Sequence, residues 1–203
     1  MKNILFTLAL LVSFSSFGQT AKEYFTSGLN NSENGDYYGA ISDYTKAIEL
    51  NPDKNNLATC YYNRGNAKDN LKDYYGAISD YTKAIELRPN YADAYYNRAN
   101  AKRKLEDYYG AISDYTKAIE LNPNDAEAYY NRGLSKSNLK DYTGAISDYT
   151  KAIELDPDDT NAYVNRGIAK ELIGDMNGAC ADWKKAANLG HTNASKWVAN
   201  QCN

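Results

Sequence analysis

Tyr-Tyr-Gly-Ala-Ile-Ser-Asp-Tyr-Thr-Lys-Ala-Ile-Glu-Leu stands at residues 37–50 and recurs letter for letter at 74–87 and 108–121. A fourth copy, 142–155, differs only in carrying Thr143 for the second tyrosine. A fifth, diverged copy runs from Asp175 through Ala179, Asp182 and Trp183 to Leu189. The four prolines, Pro52, Pro89, Pro123 and Pro157, keep the same beat at spacings of 37, 34 and 34. Repetition at this period marks a solenoid, in which each unit contacts only its neighbours.

Each copy reads as a helix. In the third, Ala111, Ile112, Tyr115, Ala118 and Ile119 fall on one apolar stripe at helical period. Asp107 precedes the helix as an N-cap that accepts from first-turn amides. Asn122-Pro123 ends it, because proline disfavours helical geometry at the residue before it and lacks the N–H a helix interior needs. The residues between copies supply a second helix, here about Ala92 to Leu105. The connections are short, so the two helices are antiparallel. One such hairpin cannot bury its own stripe, so the hairpins must stack, and the fold class is all-α.

The 34-residue period, the two-helix unit and the order Tyr129, Gly133, Ala145, Tyr149, Ala152, Pro157 resemble the tetratricopeptide repeat (TPR) family. The resemblance implies a TPR-type α-solenoid of about five helix-turn-helix repeats with units at 21–54, 58–91, 92–125, 126–159 and 160–190, and a C-terminal capping helix in 191–203. Three extra residues, about Asn55 to Leu57, lengthen the first junction. Ala99 stands where other units have Gly28, Gly65, Gly133 and Gly167. Lys68, Lys102, Lys136 and Lys170 replace an aromatic of the family pattern. The cap is expected to turn Ala194, Trp197 and Val198 inward and to cover the last apolar face.

The first 18 residues read as a secretory signal peptide. Lys2 is a short positive region, Ile4 to Val12 is largely apolar, and Ser16-Phe17-Gly18 supplies the small residues of a cleavage site. Nine residues fall short of the roughly 20 needed to span a bilayer. The product is therefore expected to be exported, periplasmic or secreted, with no membrane span. The 203-residue chain carries a formal charge of −3. A nucleic-acid partner is not expected, because such binders usually carry a basic surplus.

No glycine-rich phosphate loop or paired-cysteine motif is present, and His191, the single histidine, has no Cys near it in sequence. A capping role at its helix end accounts for it. Catalytic residues, cofactors and metals are not expected. Asp43, Asp80, Asp114, Asp148 and Asp182 recur at one helical position. They read as a solvated or salt-bridged face, because a row along a stack is not a chelating loop. Arg64, Arg98, Arg132 and Arg166 recur likewise and are candidates to pair with them, within a unit or across a junction.

The TPR resemblance places positions 2, 5, 6, 9, 12 and 13 of each unit on a concave groove. Candidate peptide-binding residues there are Tyr62, Asn63, Asn66, Tyr96, Asn97, Asn100, Tyr130, Asn131, Leu134, Asn165 and Ile168. Each asparagine amide both donates and accepts, which suits an extended backbone, and tyrosines add rigid contact area. TPR domains that grip a terminal carboxylate use cations at positions 2, 5 and 6. Here those positions hold residues such as Asp93, Tyr62 and Asn131, so that specificity is not supported. The expected function is a non-enzymatic scaffold binding a protein or peptide. A structural envelope spacer without a groove ligand is the alternative, and the oligomeric state stays open.

Cys180 lies ten residues before Gly190 and Cys202 twelve after it. In an antiparallel pair such residues come level, so a disulfide is expected to tie the cap to the last repeat. Cys60 aligns with Ala94, Ala128 and Ala162, positions that take only small residues, and is expected to be a buried free thiol.

Overall fold

A computed structural model describes residues 20–50 and 53–202. The expected signal peptide and Pro52 lie outside the described residues. Among the described residues there are eleven helices and no strand: α1 (Ala21–Glu33), α2 (Tyr37–Glu49), α3 (Lys54–Asn70), α4 (Tyr74–Leu87), α5 (Ala92–Lys104), α6 (Tyr108–Leu121), α7 (Ala126–Asn138), α8 (Tyr142–Leu155), α9 (Thr160–Leu172), α10 (Met176–Asn188) and α11 (Thr192–Gln201). They pack in chain order as five hairpins and a terminal helix. The odd-numbered helices α1 to α9 also touch one another, which puts them on the inside of the curve.

Local chemistry sets the boundaries. Asp36, Asp73, Asp107, Asp141 and Asp175 each accept a hydrogen bond from the glycine amide three residues on, at 2.9–3.0 Å. That contact explains the glycine of the repeated stretch: a Cβ on Gly76 would sit 2.1 Å from the Asp73 carboxylate. At the other end, α4, α6 and α8 stop two residues before a proline. The residues between, Arg88, Asn122 and Asp156, are extended, with φ from −134° to −130° and ψ of 87–92°.

The core is a ladder of small residues with one large ring per unit. Ala40, Ala77, Ala111, Ala145 and Ala179 are fully buried, as are Tyr44, Tyr81, Tyr115, Tyr149 and Trp183 to within 1%. Each ring lies on a small residue of the preceding helix. A Cβ on Gly28, Gly65 or Gly133 would stand 2.6–2.7 Å from the tyrosine ring, and on Gly167 2.4 Å from Trp183. Ala99 fills that place in the third unit, where the Tyr96 and Tyr115 rings meet at 61°, against 48° and 47° for the matching pairs in the second and fourth units.

The three extra residues do not lengthen a loop. They form part of α3, which has 17 residues where the other first helices have 13 and is capped by Asp53. Asn55 and Asn56 donate their amides to Asp53, so added polar residues near a cap extended the helix by about one turn.

At the far end, α11 brings Ala194, Trp197 and Val198 onto the last core, and Trp197 packs against Trp183 at 5.5 Å between centroids. His191 caps α11, its Nδ1 accepting from the Ala194 amide at 3.0 Å. Cys180 and Cys202 are joined by a disulfide, with Cα atoms 5.5 Å apart. Cys60 is buried and unbonded, and desolvation pushes its thiol up to about 11.

Candidate functional site

The groove is built on a network that fixes each first helix to its own second helix. Asp80, Asp114, Asp148 and Asp182 are not solvated. They are 3–4% exposed and each binds one arginine through two nitrogens. The arginine belongs to the same unit. Lys68, Lys102, Lys136 and Lys170 bind the same carboxylates at 2.7–2.8 Å. The departure from the family pattern thus supplies each buried aspartate with a second cation. The third arm of each guanidinium crosses the junction: Arg64, Arg98, Arg132 and Arg166 donate from Nη1 to Thr45, Thr82, Thr116 and Thr150 of the preceding unit. Tyr61, Tyr95, Tyr129 and Tyr163 lie under the four guanidinium groups at 5.3–5.6 Å. In the first unit Ser27 replaces the arginine, and among the described residues Asp43 accepts only from Ser27 and Asn31.

The asparagines form a second set of joints. Asn97, Asn131 and Asn165 donate to the hydroxyls of Tyr62, Tyr96 and Tyr130, each 35 residues earlier, at 2.9–3.0 Å. Asn97 also donates to Asn66. Tyr81 and Tyr115 donate to Asn66 and Asn100. The ladder read as free for a ligand is therefore partly spent on holding neighbouring units together. Asn63 has no such partner, because the preceding unit carries Phe25 at that position, and it bonds the Thr59 carbonyl of its own helix.

Between α3, α5 and α7 lies a depression of about 510 Å³. It gathers Asn66, Tyr96, Asn97, Asn100 and Asn131 of the expected set. Tyr62, Asn63, Tyr130, Asn165, Leu134 and Ile168 do not line it. Leu134 packs on the fourth-unit core with Tyr149, and Ile168 on the last core with Val164, itself 7% exposed. The apolar end of the groove is thus partly spent on packing. Sequence reasoning missed Asp69, Asn70, Arg103 and Lys104, which with the core ring Tyr81 complete the lining. They occupy positions 12 and 13 of their units, on the face already assigned to the groove, so that face supplied the signal. Lys104 holds Asp69 at 2.7 Å across the junction.

Burial raises the phenol pKa of Tyr62, Tyr96 and Tyr130, and Glu127, which accepts from Tyr96 at 2.9 Å, adds to the rise at Tyr96. The hydroxyls are therefore neutral donors and acceptors across ordinary pH. Among the described residues no group of three or more His, Cys, Asp or Glu is arranged to hold a metal ion, and no helix is long and apolar enough to cross a membrane.

Repeat-by-repeat comparison separates two kinds of surface. On the groove face, position 2 holds Thr59, Asp93 and Glu127, position 9 holds Asn66, Asn100 and Leu134, and position 12 holds Asp69, Arg103 and Ser137. On α4, α6 and α8 even exposed residues are unchanged apart from Thr143, as at Ser79, Ser113 and Ser147 or Glu86, Glu120 and Glu154.

Comparison with known proteins gives a consistent picture. Tetratricopeptide repeat family models match residues 21–54, 58–91, 92–125 and 126–159. No match is found among curated protein sequences. Among solved structures, a MamA protein is 28% identical with a TM-score of 0.79, covering 86% of this chain and 94% of that one. MamA from Desulfovibrio magneticus RS-1 is 25% identical with a TM-score of 0.79, covering 85% and 96%. YrrB, described as a TPR protein with an unusual peptide-binding site, is 27% identical with a TM-score of 0.77, covering 87% and 90%.

Proposed function

Because this chain belongs to the tetratricopeptide repeat family, we propose that it is a non-enzymatic scaffold that holds one extended segment of a partner protein in the groove over α3, α5 and α7. One observation carries the reading: groove positions 2, 9 and 12 differ from unit to unit, beside the tyrosines and asparagines that repeat at positions 5 and 6, while the outer helices repeat. Duplication copies both helices of a unit alike, so its recency explains no difference between them. A groove whose units differ recognises a ligand that does not repeat and binds in one register. YrrB supports the reading as a peptide-binding relative of similar fold.

We place the scaffold outside the cytoplasm. The signal-like residues 1–18 support this, and so does the Cys180–Cys202 bond, a type that persists in oxidising compartments. The tyrosines and asparagines of the ladder are poor test sites, since their loss also loosens the stack. Photo-crosslinking from a benzoyl-phenylalanine at position 70, an exposed position of the groove outside the ladder, and at 113, on the outside, tests the assignment in cells making the full chain. A discrete adduct from 70 and none from 113 is expected. Adducts from 113 alone would remove the groove from the account.

A further inference from the structure

Three buried side-chain polar atoms lack any hydrogen-bond partner among the described residues: Asp69 Oδ1, Arg103 Nε and Trp183 Nε1. Buried polar groups are paired in more than about nine cases in ten, so each orphan calls for an explanation. Two of the three, Asp69 and Arg103, line the same depression. One is an acceptor and the other a donor on a permanent cation.

The charges around them are already committed. Four of the six arginines bind a buried aspartate, and Arg88 donates to the Asn55 carbonyl and Thr59. Arg103 has no ion pair among the described residues. Asp69 is the one carboxylate lining the depression, and Lys104 occupies its Oδ2. Glu127 accepts from Tyr96. Arg103 lies against the Tyr115 phenol: burial raises that phenol, and a side-chain hydrogen bond from Arg103, then its charge, lower it, leaving Tyr115 at about 12, while at Tyr130 only the charge of Arg103 is felt.

We propose that this pair is a dipolar seat, in which Arg103 takes a carboxylate of the bound segment and Asp69 Oδ1 takes one of its backbone N–H groups. This rests on the groove reading above and deepens it: the partner segment is acidic at one register position, opposite the third unit. Guanidinium and carboxylate form charge-assisted hydrogen bonds, which are about twice as strong as neutral ones. The carboxylate comes from an Asp or Glu side chain or from a chain end, since the chemistry at Arg103 is the same.

Random peptides displayed on phage and selected on the immobilised full chain test the seat. The matched variants are Arg103→Ser, which copies Ser137 of the next unit and so keeps a residue this position accepts, and Arg103→Lys, which keeps the charge. Wild type is expected to enrich Asp or Glu at one position or a free terminus at a fixed distance. Arg103→Ser is expected to lose that preference and to bind the selected peptides about tenfold or more weakly, while Arg103→Lys retains part of it. Synthetic Glu→Gln and C-terminally amidated versions identify which carboxylate is used, by which one loses binding. Selected peptides with no acidic preference, or equal affinity for Arg103→Ser, would overturn the seat and leave the groove standing. Failure to select any peptide would overturn both.

Discussion

Replacing Asp114 by asparagine leaves two cations facing a neutral amide. Asp114 accepts from Arg98 Nε at 2.8 Å, Arg98 Nη2 at 2.7 Å and Lys102 Nζ at 2.7 Å, and is 4% exposed. Removing one partner of a buried ion pair costs about 3–5 kcal/mol, because the surviving charge stays desolvated. The Arg98 and Lys102 side chains keep 15% and 20% of their exposure. Partial access to water places the cost at the low end, about 3 kcal/mol. Asp43→Asn is the internal control. Among the described residues Asp43 accepts from the neutral donors Ser27 and Asn31 alone, at 2.6 and 2.9 Å, so its replacement should cost about 1 kcal/mol. Urea unfolding of the full chain, followed by circular dichroism, measures both. A third variant, Asp114→Leu with Arg98→Met and Lys102→Met, removes the charges together and should recover most of the loss, since apolar replacement of a complete buried network is often neutral. Equal cost at Asp43 and Asp114, or a triple variant no better than Asp114→Asn, would refute the reasoning.

Four further outcomes are expected. Lys140 holds φ at +64°, a left-handed conformation that side chains resist, so Lys140→Gly should stabilise by about 0.5–1 kcal/mol and raise the melting temperature by about 1–3 °C. Cys60, with its thiol raised to about 11, should be alkylated at pH 8 roughly two orders of magnitude more slowly in the native chain than in urea, and faster as pH approaches 11. Reducing the Cys180–Cys202 bond should remove about 3 kcal/mol from the C-terminal end, visible as faster amide exchange in 192–201 with 92–159 unchanged. Amides in 21–50 should exchange faster than those in 92–159, because among the described residues Arg64 alone makes a side-chain hydrogen bond back to the first unit, through Thr45, and Asn63 finds no hydroxyl there; uniform protection would contradict this.

The repeats were legible because their signals are local. A proline 34 residues after the last one, an aspartate before each copy and a stripe at helical period each act within one helix. What the letters did not disclose lies between helices. Position 6 places Asn131 on the groove side of α7, but nothing in a single unit says that the Tyr96 hydroxyl waits 35 residues earlier. The lysines at 68, 102, 136 and 170 looked like departures because their partner sits on the other helix of the hairpin. The added residues 55–57 break the period, so in sequence they show only as a longer junction. Their effect on helix length was decided by Asp53, whose capping bonds made one more turn favourable.

The arms that repeat from junction to junction point the same way. Arginine and asparagine reach backward, and threonine and tyrosine receive. The first unit has Ser27 and Thr26 in place of the two reaching residues, so it has nothing with which to couple to a predecessor. The last unit has Lys184 and Val164 in place of the two receivers, so it offers nothing to a successor. The chain therefore resembles a train with plain buffers at both ends, a single coupling at the first junction and both couplings at the later ones. Carriages of 34 residues are free to be inserted or removed in the middle without a new joint being devised, while the two end carriages fit nowhere else.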